Sequence, residues 1–264
     1  MLICLTGLHR AGKSHFSFES GIPQKMGFKV FNKKDIVAKL CFEFNKAKGI
    51  NIVENVLNDL GRDFVDRNEK NELIWNFCNK WYGKMMAADP YFITGQIINK
   101  ILDDARVENC DKIIIDAVHN NKEWEIIHEL VKDSGLLLFL TPKEIRDQRS
   151  SDVNFINKQN LSRINYWCTD PNLPPLPYMA LGIIDGSKSN EEIESDFLVF
   201  VEKLQKSFKN QRNYDYDFIN PLDTKLLNLM NENELLALQN ASMRKKLENK
   251  EKNENNENND DIIK

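Results

Sequence analysis

A short apolar run, Leu2-Ile3-Cys4-Leu5-Thr6, leads directly into Gly7-Leu8-His9-Arg10-Ala11-Gly12-Lys13-Ser14. The eight residues satisfy G-x-x-x-x-G-K-[ST], and their placement constrains the fold more than the match does. Such a loop works only between a buried strand and a helix N-terminus, where backbone N–H groups and the helix dipole converge on phosphate oxygens. Gly7 and Gly12 let the backbone turn without a Cβ in the way. The pattern assigns Gly7, His9, Arg10, Ala11, Gly12, Lys13, Ser14 and His15 to a triphosphate site, with the Lys13 ammonium on the terminal phosphates and the Ser14 hydroxyl on Mg²⁺.

Further apolar runs fit strands buried on both faces. They are Phe28-Lys29-Val30-Phe31, Lys112-Ile113-Ile114-Ile115-Asp116, Leu136-Leu137-Leu138-Phe139-Leu140 and Leu181-Gly182-Ile183-Ile184. Helical patterns separate them, at 35–48, about 53–65, 69–83, 90–107, 120–134, 142–150 and 190–208. Alternating elements of this kind predict an α/β fold, a doubly wound, five-stranded parallel sheet with right-handed crossovers. The organisation expected is one domain over 1–208 with a helical acceptor-binding insertion at about 35–107. A helical extension follows over 209–248, where leucines recur from Leu222 to Leu238, and then a tail over 249–264. That tail is too rich in Asn, Glu and Lys to bury a core and is expected to be disordered. The extension either caps the domain or mediates self-association as a homo-oligomer.

The 264 residues carry 36 Lys and Arg against 40 Asp and Glu, a net charge of −4, which gives no footprint for general nucleic-acid binding or for an anionic membrane. Five scattered cysteines form no C-x-x-C pair, so reduced thiols in a cytoplasmic protein are expected. No run approaches a membrane span, and the first apolar run lacks the basic flank of a signal peptide.

Asp116 ends the third strand, where an acidic residue can orient Mg²⁺. Asn32-Lys33-Lys34-Asp35 matches N-K-x-D, yet it lies too close to the phosphate loop for a guanine-specificity motif, and no matching D-x-x-G follows. Asp35 therefore reads as a group facing a phosphoryl acceptor, or as the N-cap of a helix starting at Ile36. Arg146 and Arg149, spaced i, i+3, with Arg163 beyond them, read as mobile cations for a transferring phosphoryl group, or as a solvated face. Arg62 is a further anion-binding candidate. His9, His15 and His128 lack metal-site spacing, and Trp75, Trp81 and Tyr82 read as core.

Taken in order, these pieces resemble the P-loop nucleotide kinases, particularly the dephospho-CoA-kinase-like group and the phage deoxynucleoside monophosphate kinases, over about residues 1–207. The likeness rests on the loop, Gly27-Phe28-Lys29-Val30 followed by Asp35, and Asn58-Asp59-Leu60-Gly61-Arg62. It continues in Ile115-Asp116-Ala117-Val118-His119 and in Ile184-Asp185-Gly186-Ser187. It implies transfer of the ATP γ-phosphoryl group to a nucleotide-like small-molecule acceptor with Mg²⁺ on Ser14 and Asp116. Lys13, Asp35, Arg146 and Arg149 would be catalytic, Asp35, Arg62, Asp116, His119 and Arg163 would line the acceptor site, and Gly186 would lie near the adenine. The chain departs from such relatives at His119 and Ala38, where they often carry Arg, each a charge-assisted phosphate contact worth about 1.5–3 kcal/mol. A less anionic or altered acceptor would follow. The alternative is a triphosphate-binding regulatory protein that controls partners through its C-terminal helices.

Overall fold

The computed structural model describes residues 1–54, 67–209 and 224–260. Five strands, β1 (Leu2–Gly7), β2 (Lys29–Asn32), β3 (Ile113–Asp116), β4 (Ser134–Leu140) and β5 (Gly182–Asp185), form one sheet in the order β2-β3-β1-β4-β5. Every pairing is parallel, with Cys4 opposite Ile115 and Leu136 on its two sides. The fold is the expected α/β doubly wound sheet.

Strand alternation sends side chains to two separate cores. Leu2, Cys4, Ile113, Ile115, Leu136 and Leu138 face one. Ile3, Leu5, Ile114, Leu137 and Phe139 face the other. Each such side chain removed from water contributes about 1.5–3 kcal/mol, so a strand apolar on both faces is stable only between two helical layers.

The first layer holds α2 (Lys33–Ala47), α3 (Arg67–Ala88), α4 (Pro90–Val107), α5 (Asn121–Leu130) and α7 (Val153–Tyr166). Its core runs through Val37, Ile97, Ile101, Trp124 and Ile164. The second layer is made by α1 (Ile22–Lys25) and α8 (Asn190–Lys209), whose Ile193, Phe197, Phe200 and Leu204 pack on β1, β4 and Phe16. A six-residue helix, α6 (Lys143–Gln148), leaves β4.

Past residue 223 the chain is helical again, as α9 (Thr224–Leu229) and α10 (Glu232–Asp260). Leu226, Leu229, Met230, Leu238 and Ala241 from these helices belong to the first core. The extension thus packs on the sheet domain's first helical layer. The helix α10 runs on to Asp260. Among the described residues no helix is long and apolar enough to cross a membrane. The region holding Arg62 and most of the helix expected at 53–65 lies outside the described residues.

Candidate functional site

In a parallel sheet the loops after the strands gather at one edge, outside the strands' carboxyl ends. Here that edge carries the loop after Gly7, Asp116 at the end of β3, Thr141 after β4 and Gly186 after β5. The loop, Asp116 and Gly186 line a cleft of about 1030 Å³, at the upper end of the ~300–1,000 Å³ usual for a small-molecule site.

The phosphate-loop pattern is built as a loop between β1 and a helical turn. Arg10 and Gly12 have φ of 63° and 92°, and the Phe16 N–H donates to the Gly12 carbonyl at 2.9 Å to begin the turn, which continues as a π-helical segment, His15–Glu19. The glycines are needed for a reason the motif alone does not show. A Cβ on Gly7 would sit 2.1 Å from the Phe139 carbonyl oxygen on β4, and one on Gly186 would sit 2.0 Å from the Ala11 carbonyl oxygen. Neighbouring backbone, rather than the ligand, excludes a side chain at both.

The Lys13 ammonium donates to the carbonyls of Gly7 at 3.0 Å and Leu8 at 2.8 Å, folding back across its own loop. Burial lowers its pKa to about 8, with Arg163 adding to the effect and Asp116 opposing it. Burial also raises Asp116 above the usual carboxylate range, against the pull of Lys13, Lys33 and Arg163. Ser14 and Asp116 both line the cleft. A hydroxyl and a carboxylate beside a phosphate loop are the hard oxygen donors that suit Mg²⁺, whose remaining ligands come from phosphates and water. Among the described residues no group of three or more His, Cys, Asp or Glu side chains is placed to hold a metal ion by itself.

The wall facing Lys13 is cationic and nitrogen-rich. Arg163, from α7, lies 3.3 Å from His9 Nε2, and the His9 backbone N–H donates to Asn160 Oδ1 at 2.7 Å. Burial together with Arg163, Lys13 and Arg10 lowers His9 to about 4, and burial together with Arg163, Lys33 and Lys13 pushes His119 well below the ordinary histidine range. Both rings are therefore neutral at neutral pH. His119 Nδ1 and Arg163 Nε are buried with no hydrogen-bond partner among the described residues. Two such groups at a cleft wall mark the place where an incoming ligand can supply acceptors. Arg163 and Lys33 thus bring positive charge close to His119, the position where the resembled kinases often carry Arg.

The floor is a buried ion pair. Lys33, in the first turn of α2, donates to both carboxylate oxygens of Glu123 on α5 at 2.8 and 2.9 Å. The Tyr82 hydroxyl from α3 donates to the same carboxylate at 3.1 Å, and the His119 N–H at 3.3 Å. One carboxylate therefore ties α2, α3 and the β3–α5 loop together. Trp75, Asn79 and Tyr82 line the cleft from one face of α3, and the Lys34 ammonium lies 4.5 Å from the Trp75 ring centroid. Trp75 and Tyr82 thus pack against the core, as expected, and also line the cleft, whereas Trp81 packs on the core beside Phe44 without reaching the cleft. The spacing 75, 79, 82, with a polar Asn inside an aromatic stripe, was the available signal.

The remaining sequence candidates separate. His9, Arg10, Ala11, Gly12, His15, His119, Arg149, Arg163 and Gly186 line the cleft together with Lys13. Arg149 donates to the carbonyls of Arg10 at 3.2 Å and Gly186 at 2.9 Å. Arg146 does not join it: its guanidinium is fully buried and paired with Glu234 on α10 at 2.6 and 2.7 Å. Asp35 is exposed in the first turn of α2 and is not among the cleft-lining residues. Nor is it the N-cap, because the helix starts at Lys33 and Asn32 accepts the Lys34 N–H at 2.9 Å.

No family model and no curated protein matches the chain. It is similar to several solved structures. TT1252 from Thermus thermophilus is 13% identical over 77% of this chain and 96% of that one, with a TM-score of 0.46. A shikimate kinase from Aquifex aeolicus is 14% identical over 78% and 99%, TM-score 0.38, and a sugar kinase from Janibacter sp. is 13% identical over 76% and 94%, TM-score 0.38. At such distances the strand order and the loop geometry of this chain say more than the likeness does.

Proposed function

We propose that this protein is a phosphotransferase that moves the γ-phosphoryl group of ATP to a nucleotide-like acceptor. The observation that carries the reading is the folded Gly7–Ser14 loop, open to a cleft large enough for two substrates and facing a second, cationic wall. In this reading an acceptor oxygen attacks the γ-phosphorus in line, the bond to the β–γ bridging oxygen breaks, and ADP leaves. Loop N–H groups and Lys13 hold the donor phosphates, so Lys13 must exchange its two carbonyl partners for phosphate oxygens. Mg²⁺, held by Ser14 and Asp116, would neutralise the β- and γ-oxygens. Arg149 and Arg163 meet the charge that builds on the transferring group.

The acceptor half of the cleft supports an anionic molecule with a planar ring. Lys34 and the partnerless Arg163 Nε–H offer donors and the neutral His119 ring offers a further polar nitrogen, while Trp75, Tyr82 and the Asn79 amide offer a flat, hydrogen-bonding surface. A panel of nucleoside monophosphates and dephospho-CoA, each added with ATP and Mg²⁺, should contain compounds that raise the Tm and stimulate ADP release. Lys13→Ala should lower that turnover by about 10²–10³-fold or more with an unchanged circular dichroism spectrum. Acceptor-dependent ADP formation surviving in this variant would overturn the assignment. Hydrolysis indifferent to every acceptor would favour a regulatory role for the bound triphosphate.

A further inference from the structure

The C-terminal helix reaches the phosphate loop through a continuous polar chain. Glu234, in the first turn of α10 and almost fully buried, accepts two hydrogen bonds from Arg146 Nη2. Glu234 is itself fixed by a reciprocal cap: its N–H donates to Asn231 Oδ1 at 3.0 Å, and the Asn231 N–H donates back to its carboxylate at 3.4 Å. Arg146 Nε donates to the Thr141 carbonyl at 2.8 Å, and the buried Thr141 hydroxyl is shared between the Leu140 carbonyl at 2.8 Å and the Ala11 carbonyl, inside the phosphate loop, at 3.2 Å. Arg149, one turn after Arg146, is bonded to Arg10 and Gly186 on the cleft side.

We propose that Glu234 and Arg146 are positioning residues: their ion pair sets the seat of α6, so that Thr141 and Arg149 hold residues 10–12 of the phosphate loop and present the Arg149 guanidinium to the transferring phosphoryl group. The effect on turnover rests on the phosphotransferase reading; the effect on the loop does not. A six-residue helix has little stability of its own, and α6 follows β4 with no side chain capping its N-terminus. A buried ion pair to a separate helix supplies the missing constraint: Arg146 Nη2 spans both oxygens of Glu234 while Nε is held by the Thr141 carbonyl, so the guanidinium is anchored at two points. Arg146 and Arg149 share a sequence pattern but divide the labour, one anchored in the core and the other facing the cleft.

Two measurements test this. In the ligand-free protein, Glu234→Gln should raise amide hydrogen exchange at residues 10–12 and 186, with β1 and β3 unchanged. In the turnover assay it should lower kcat about tenfold with the KM for ATP within about twofold, as expected when a group that acts late in the reaction is displaced. Added to Arg149→Ala, it should cost nothing further, because the two changes remove one interaction. Arg146→Met combined with Glu234→Leu leaves no buried charge unpaired, so this variant should stay folded and still show the faster loop exchange. Lys246→Ala on the exposed side of α10 is the control and should match the parent in both assays.

Unchanged loop exchange in both Glu234 variants overturns the proposal, as does a full additional loss in the Arg149→Ala background. A parent protein with no turnover on any acceptor, but with faster loop exchange in Glu234→Gln, would sink the phosphotransferase reading and leave the brace standing.

Discussion

Lys13 is the residue whose protonation couples most directly to binding. Its pKa of about 8 in the free protein comes mainly from desolvation, and phosphate oxygens replacing the carbonyls of Gly7 and Leu8 would restore the charged form. The sign follows. Below about pH 8 the ammonium is charged in both free and bound protein and no proton moves; between about 8 and the ordinary lysine value near 10.5, binding must first add a proton. Titration calorimetry of magnesium-ATP at about pH 8.5 in buffers of different ionisation enthalpy should show proton uptake, and affinity should fall as pH rises further. Proton release, or affinity flat up to about pH 10, would contradict this account of Lys13. Residue-level reading of the sequence found the loop because all its special positions are contiguous. It could not find the partners of Arg146, because Glu234 lies 88 positions away.

Among the elements, the α2–α3–α5 junction depends on a single carboxylate. Removing it strands the Lys33 ammonium, which is 6% exposed, and leaves the Tyr82 hydroxyl without its acceptor. Breaking one side of a buried pair costs about 3–5 kcal/mol, so Glu123→Ala should lose that much in urea unfolding. Replacing both partners by apolar residues of similar volume should restore most of it; a loss under about 1 kcal/mol in the single variant would show that water reaches the pair. The five strands were legible because each is a short apolar run sandwiched between layers. The helix α7 was not. Its buried positions are Ile156, Asn160 and Ile164, and the central one is polar, so its apolar stripe is broken where Asn160 turns to accept the His9 N–H. The element that delivers Arg163 therefore had the weakest pattern, a common result where function displaces a core residue.

Across the whole molecule, three histidines are held below their ordinary pKa, His9 at about 4 with His119 and His128 shifted the same way, each mainly by burial. The unfolded chain binds more protons than the native one between about pH 4 and 6.5, so stability is fully present above about 6.5 and declines as pH falls through that window. Asp116 acts in the opposite sense, since burial raises its pKa, but it is one group against three. Tm should therefore be lower at about pH 5 than at about pH 7.5, and His9→Gln combined with His128→Gln should flatten the difference. A Tm that rises on acidification would assign the dominant proton linkage to Asp116.

From the order of its residues alone the chain determined a parallel sheet of five strands and a loop shaped for phosphate, because both are local: apolar runs need two covering layers, and the loop's glycines, lysine and serine are neighbours in sequence. Tertiary structure alone decided which of the remaining charges meet. Arg146 and Arg149 are three residues apart, yet one is neutralised in the core and the other faces the cleft. Asp35 points to solvent, while Lys33, two positions before it, is locked beneath the cleft. A charge is held where a partner compensates its desolvation, and here those partners lie on helices far along the chain.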